Sequence, residues 1–241
     1  MAGHPLGLGH AERANPAGVL EEMKRLSVEQ LGGVPSALYA PVGEALDDAA
    51  RRSGLIQIRR GDHVALINLR QRNAAYVMRF RQLVAQGFED FRALPHVARK
   101  NHNLPLGLVE ERQLDFHYAG QKLADAIGAR YSRQLEMLEG RLEVLSAELG
   151  TPSASNPIGA SRLAGAFLAT YHDAELPETL RPLLFRQYEH ELSRVLGDLY
   201  GRINTLLAAA GYGLKPGAGV PVKPVDPNQP APPPPTDSIA A

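Results

Sequence analysis

The sequence predicts an all-α fold: a bundle of about six helices, two or three of them long, with a disordered Pro-rich C-terminal tail. Three observations carry this reading. Apolar residues recur at steps of three and four over most of the chain, alternation of the strand type is nearly absent, and proline or glycine ends most of the periodic runs. A chain of 241 residues with 44% hydrophobic content holds one good core or two small ones, which excludes both a disordered protein and a large multidomain machine. The reading divides it into a flexible leader (1–16), a helical domain (17–212) and a Pro-rich tail or linker (213–241).

The first helix carries Leu20, Met23, Leu26 and Val28 to Leu31, and Gly32, Gly33 and Pro35 end it. A second opens near Pro41, a good first-turn residue, runs through Ala45, Leu46, Ala49 and Ala50, and stops at Gly54. Leu55 to Ile58 has no strand partner of equal quality and reads as a connection. Asp62 then caps a long helix bearing Val64, Ile67, Leu69, Ala75, Met78, Leu83, Val84, Phe88 and Phe91, which Pro95 stops. A polar loop (95–107) follows, with His96, Asn101, His102 and Asn103.

The next helix starts near Val109 and carries Leu114, His117, Leu123, Ile127, Tyr131, Leu135, Leu138, Leu142 and Leu145. At 3.6 residues per turn it spans roughly ten turns to Gly150 and Pro152, with Gly120 and Gly128 as the places where it could break. Asn156 caps, with Pro157 in the first turn, a helix from Ile158 through Leu163, Phe167, Leu168 and Tyr171. The last helix, Glu178 to Ala210, has an apolar stripe from Leu180 to Leu207 broad enough for two neighbours, and Gly211 caps it. Beyond it, Pro216 to Ala241 holds nine of the nineteen prolines. Such a stretch favours extended polyproline II and reads as a spacer. The sharper reading is a PxxP ligand, since Pro221, Pro224, Pro227 and Pro230 recur every third residue and share one face of that helix.

Composition narrows the function. With no cysteine there are no disulfides, zinc ribbons, thiol nucleophiles or iron–sulfur ligands, which fits a reducing cytosol. No run of eighteen apolar residues suggests a membrane span, and MAGHPLGLGH lacks the charge and apolar pattern of a secretory signal, so the expected location is cytoplasmic. There is no GxSxG, GxxxxGK[ST], HExxH or GxGxxG, and Gly7 and Gly9 lack the strand and helix that a dinucleotide loop needs. Glu189, His190 and Glu191, like Glu110, Glu111, Asp115 and His117, lack the Glu-x-x-His spacing of di-iron bundles. His190 lies four residues from both Arg186 and Arg194, and His117 and His172 read as partly buried or rim residues. Neither a catalytic site, a metal nor a cofactor is expected.

Charge is the one asymmetric feature. Residues 51–81 hold eight arginines against one acid, Asp62, so this segment carries +7 within a chain of net charge zero and the remainder carries −7. One reading has the basic segment neutralise acidic faces such as Glu136, Glu139, Glu143 and Glu148, within the bundle or in an oligomer. The other is an anion site, with Arg59, Arg60, Arg70, Arg72, Arg79 and Arg81 as candidate ligand-binding residues. On a straight helix Arg72 and Arg79 share one face while Arg70 and Arg81 share the opposite one, which argues against a compact pocket. Only Tyr76 and Phe80 lie among these arginines for stacking, so nucleic acid is disfavoured.

Three blocks give the chain a family resemblance. They are ALDDAARRSG (45–54) with LRQRNAAYVMRFRQLVAQGFEDF (69–91); LGLVEERQLDFHYAGQKLADAIGARYSRQLEMLEGRLEVL (106–145); and NPIGASRLAGAFLATYHDAELPETLRPLLFRQYEHELSRVLGDLYGRINTLLAAAGY (156–212). Together they resemble the N-terminal helical part of the bacterial family labelled domain of unknown function 1631, with Asn156-Pro157 and the Leu199-Tyr200…Asn204 end the most telling residues. LIQIRRGD (55–62) departs from the family's polar joint. Family members are usually longer, which implies a short paralogue or a fragment. The resemblance implies a bacterial, cytoplasmic setting in which cyclic-dinucleotide signalling is a conceivable context. The thymidine phosphorylase label some members carry finds no matching glycine-rich phosphate site here, and the arginine-rich and DxSxxG signature of PilZ-type receptors is absent. The expected function is a non-enzymatic regulatory or scaffold module acting through a protein partner or a homo-oligomer. The alternative is a nucleotide or cyclic-dinucleotide effector using residues 51–81.

Overall fold

Asn15 opens the first helix by accepting a hydrogen bond from the Ala17 amide at 3.1 Å, and Pro16 follows in the first turn, where its missing N–H is no loss. The computed structural model describes residues 15–53, 56–93, 111–151, 155–171 and 176–213, without the side chains of 53–59 and 111–115. The leader before Asn15, the polar loop of 95–107 and the Pro-rich stretch with its PxxP spacing therefore lie outside the described residues.

The described residues form nine helices and no strand: α1 (Pro16–Leu31), α2 (Val34–Ala37), α3 (Tyr39–Ser53), α4 (Ile56–Gln71), α5 (Asn73–Arg92), α6 (Glu111–Arg130), α7 (Ser132–Glu148), α8 (Ala160–Tyr171) and α9 (Leu180–Ala209). The expected six become nine because both long central helices are divided and a single turn, α2, is added. None of the described helices is long and apolar enough to cross a membrane.

Each division has a tertiary cause. The helix expected from Asp62 to Pro95 breaks at Arg72, whose ψ of 7° departs from the helical value. The Arg72 amide still reaches the carbonyls of Asn68 and Leu69 at 3.2 and 3.1 Å, so the turn tightens rather than unravels. Leaving the line here lets α4 pack on α3 while α5 packs on α1, α2 and α8. The helix expected from Val109 to Gly150 breaks at Tyr131, not at Gly120 or Gly128. Tyr131 donates its hydroxyl to the Ser193 carbonyl at 3.0 Å and stands edge-on to Tyr200, while Arg130 bonds the Ser193 hydroxyl at 3.0 Å. Gly120 serves close packing instead, since a Cβ there would strike Leu168.

Three other boundaries differ from expectation. Ile56 to Ile58 is the first turn of α4, not a connection, and Asp62 is an interior residue of that helix rather than its cap. Asp62 is buried and accepts a hydrogen bond from the Thr179 hydroxyl at 2.6 Å, which ties α4 to the head of α9. Asn156 does not cap a helix from Ile158; its side chain accepts from the Ile158 amide at 3.1 Å, forming a turn from which α8 starts only at Ala160. At the other ends the glycine signals hold. Gly150 (φ 73°) and Gly211 (φ 88°) adopt the left-handed conformation, and the next amides, of Thr151 and Tyr212, bond back to the carbonyls of Ser146 and Leu207.

Helix α9 organises the packing. The pairs α9–α1, α1–α5, α5–α8, α8–α6 and α6–α9 close a circuit, while α7 runs along another part of α9 and α3 covers it from a further side. Inside this circuit the aromatic side chains meet. The Tyr188 ring stacks on Phe167 with centroids 4.1 Å apart and meets Phe80 edge-on at 6.1 Å, while Tyr171 packs on Phe167 and Tyr76. Their hydroxyls are satisfied: Tyr188 donates to the Leu163 carbonyl at 3.0 Å, Tyr200 to the Ile158 carbonyl at 2.9 Å, and Tyr39 and Tyr171 bond each other at 3.1 Å.

Burial pushes the Tyr39 phenol from 10 up to about 12, partly countered by its bond to Tyr171. It pushes the phenols of Tyr171, Tyr188 and Tyr200 further above their ordinary value. The unfolded chain therefore loses these protons first, so stability is full below pH 10 and declines as pH rises toward 12 and beyond. Alkaline titration followed by phenolate absorbance and circular dichroism should show buried tyrosines ionising together with loss of helix. Ionisation of Tyr39, Tyr171, Tyr188 and Tyr200 near pH 10 with the helices intact would contradict the packing.

Glycine substitutions test the circuit. A Cβ at Gly87 would lie 2.7 Å from the Pro157 carbonyl oxygen, so Gly87→Ala should cost roughly 1–3 kcal/mol by forcing α5 away from the 156–159 turn. Gly201 has open space around it in the interior of α9, and Gly201→Ala should gain about 0.5–1 kcal/mol. Urea denaturation of the two variants reads both signs.

Candidate functional site

Helix α4 has two chemically distinct sides. Asp62, Leu66 and Leu69 are buried against the bundle, whereas Arg60, Val64, Ile67 and Gln71, stepping by four, three and four residues, face water. Past the Arg72 break, the exposed residues Ala74, Met78 and Gln82 keep the same step along α5. The result is unusual for a bundle surface: Val64, Ile67 and Met78 remain 53%, 54% and 63% exposed. All three belong to the apolar set that the sequence assigns to the core. The actual inward residues of this region include Leu66 and Phe80, which that set omits.

The arginines border this surface rather than enclose a pocket. Arg60 is exposed on the same strip as Val64 and Ile67, Arg70 is exposed on its flank, and Arg72 is exposed at the helix break. Arg79 is half-buried, and Arg81 is exposed but lies against Gly32, where a Cβ would strike its guanidinium. The Arg59 side chain lies outside the described residues. Because of the break, the straight-helix grouping of Arg72 with Arg79 and of Arg70 with Arg81 does not apply. On the α3 side His63 reaches Asp47 at 3.4 Å, an ion pair when the imidazole is protonated, and within α3 Arg51 pairs with Asp48.

The acidic residues proposed to neutralise this segment lie elsewhere. Helix α7, which carries Glu136, Glu139, Glu143 and Glu148, packs mainly on α9 and α6, while α4 packs mainly on α3 and α5. Other clefts have other linings. One of about 490 Å³ lies between α6 and the head of α9, with Phe116 and Phe185 in its floor and Lys122 and Arg181 beside them. Another, of about 790 Å³, runs past the α6–α7 joint and the turn before α8, lined by Asp125, Glu136 and Glu139 among small residues such as Gly128 and Ala160. Its signal is present in the sequence as Ala124, Gly128, Ser132 and Glu136, each four residues from the last.

The described histidines and carboxylates do not converge, while Glu110 and the side chains of Glu111 and Asp115 lie outside the described residues. Among the described residues no group of three or more could hold a metal ion. Glu191 is buried but accepts from Gln187 at 2.9 Å and pairs with Arg194 at 3.1 Å, and its neighbour His190 faces solvent. His117, read as partly buried or at a rim, is exposed, and His172 lies outside the described residues.

Fold and surface define an all-helical domain that presents a basic and apolar helix face to solvent. Residues 15–211 match the family model described as the N-terminal domain of a protein of unknown function, DUF1631, and the chain belongs to that family. No curated protein and no solved structure matches it. The residues most telling for the resemblance have structural work: Asn156 and Pro157 form the turn against α5, Tyr200 holds that turn, and Asn204 donates to the carbonyls of Tyr200 and Gln134 at 3.0 and 3.3 Å.

The two sides of α4 should respond oppositely to substitution. Leu66→Ala, on the buried side, should destabilise by about 2–5 kcal/mol. Ile67→Gln, one residue on, should change stability by no more than about 0.5 kcal/mol. A large loss from Ile67→Gln in thermal unfolding would show that this face is covered.

Proposed function

We propose that this domain is a non-enzymatic regulatory or scaffold module that binds protein through the outer side of α4 and α5. One observation carries the reading: Val64, Ile67 and Met78 are more than half exposed on a surface bordered by Arg60, Arg70 and Arg72. Burying such side chains is favourable by about 25 cal/mol per Å² of apolar area removed from water, and nothing in the chemistry of the strip offers another use for them. The arginine border selects the partner. It favours a surface with an apolar centre and an Asp- or Glu-rich rim, where complementary charge raises the encounter rate and sets the register. In this reading the protein works in the bacterial cytoplasm, and signalling through such contacts is its role.

The arginines run along the two helices instead of converging, which favours a protein surface over a phosphate pocket for a nucleotide. The test is a photo-crosslinking amino acid placed at Ile67 or Met78 in the intact chain, expressed in the bacterial host. Protein adducts are expected from both positions, few from the exposed Ala208 on α9, and far fewer when Arg60→Glu and Arg70→Glu are combined with the crosslinker. Absence of protein adducts, together with a cyclic-dinucleotide thermal shift that Arg70→Glu abolishes, would replace this reading with the nucleotide one.

A further inference from the structure

We infer that the occupant of the α4–α5 face is a second copy of this chain, docking head to tail through the acidic groove at the α6–α7 joint. The inference rests on the interaction-module reading above and names its partner. Three features of the molecule support it. First, positive charge is concentrated in residues 51–81 and negative charge elsewhere, while the whole chain is neutral. A neutral molecule with segregated charge repels itself little at long range and attracts itself where opposite regions meet.

Second, the bundle does not neutralise this segregation internally by setting α4 against α7, since each packs mainly on other helices. The two regions are therefore available to different neighbours. Third, the groove is complementary to the face in charge and in relief. Glu136 and Glu139 are exposed along it and Asp125 adds a third carboxylate, against one cation in the lining, Arg162, which is paired with Asp90; Gly128 and Ala160 add little bulk to a groove of about 790 Å³. Side chains as large as Ile67 and Met78 project from the opposing face, and Arg60 and Arg70 flank them at reach of carboxylates.

A contact of this kind is heterologous: face meets groove, not face meets face. After one contact the first copy keeps its groove free and the second its face, so association continues into rings or open chains instead of stopping at a dimer. It is also salt-sensitive, because the charged groups on both sides are exposed before contact.

Sedimentation velocity on the purified full chain tests this. The average mass should rise with protein concentration beyond that of a dimer and fall as sodium chloride is added. Arg60→Glu with Arg70→Glu should weaken association about tenfold or more, and so should Glu136→Lys with Glu139→Lys. All four positions are exposed, and unchanged helical circular dichroism establishes that the variants fold. An equimolar mixture of the two variants restores opposite charges across every contact and should regain association, which a folding defect would not allow. A wild-type chain that stays monomeric at all concentrations, charge variants that associate like wild type, or a mixture that stays monomeric would each overturn the inference. The proposed module survives that failure if Ile67 still crosslinks to a different protein, and falls with it if Ile67 crosslinks to none.

Discussion

The domain depends on the seating of the 156–159 turn between α5 and α9. Tyr200, about two-thirds of the way along a helix of thirty residues, donates to the Ile158 carbonyl at 2.9 Å, and Gly87 on α5 leaves room for the Pro157 carbonyl that only a missing side chain provides. An unmade hydrogen bond at a buried carbonyl costs about 1–3 kcal/mol, so the turn has one favourable seat. That seat fixes where α8 begins. Helix α8 in turn brings Phe167 onto Tyr188 and Leu168 onto Gly120, which places α9 and α6. The circuit around the aromatic core closes from this one joint, and Arg162 of α8 pairing with Asp90 of α5 reinforces it at the surface.

How much of this was legible in the sequence follows from which signals are local. The helical class and the Gly150 and Gly211 stops are written in nearest-neighbour chemistry, and all of them stand, whereas the cap at Asn15, equally local, went unread inside the leader. The breaks at Arg72 and Tyr131 are not local. Neither residue is glycine or proline, and Tyr131 is displaced by what its hydroxyl and ring find on α9, a partner some sixty residues away in sequence. Asp62 misled for the same reason. It has the chemistry of a helix cap, and it does serve a helix head, but that of α9 through Thr179 instead of its own.

The candidate surface was half legible. Its arginines stand out by charge alone, yet their arrangement depended on a straight helix that the break removes. Val64, Ile67 and Met78 looked like core because a three- and four-residue step marks one side of a helix without saying whether that side faces in. Leu66 and Leu69 supply the true inward side of α4, and a helix with apolar residues on both sides either lies deep in a core or keeps one side for something else. Since Arg60 and Gln71 share the outer strip, depth in a core is excluded for that side.

This double-sided helix is what separates α4 from its neighbours. Helix α9 also has a broad apolar side, but the bundle uses it, burying Leu192, Leu196, Tyr200 and Ile203 against the helices around it. Helix α4 packs mainly on α3 and α5, at the margin of the circuit, so the same kind of surface is left in water there. Exposed Ile and Met cost solubility, and the flanking arginines offset that cost by keeping the strip hydrated when it is free. The same arginines become a requirement when it is covered, because a guanidinium displaced from water needs a carboxylate or a carbonyl in its place. In the proposed module, apolar strip and basic border act as one device, tolerable alone and selective in contact. The selectivity proposed for it is for acid set around a centre of small or apolar residues, and the groove at this chain's own α6–α7 joint carries Asp125, Glu136 and Glu139 beside Gly128 and Ala160.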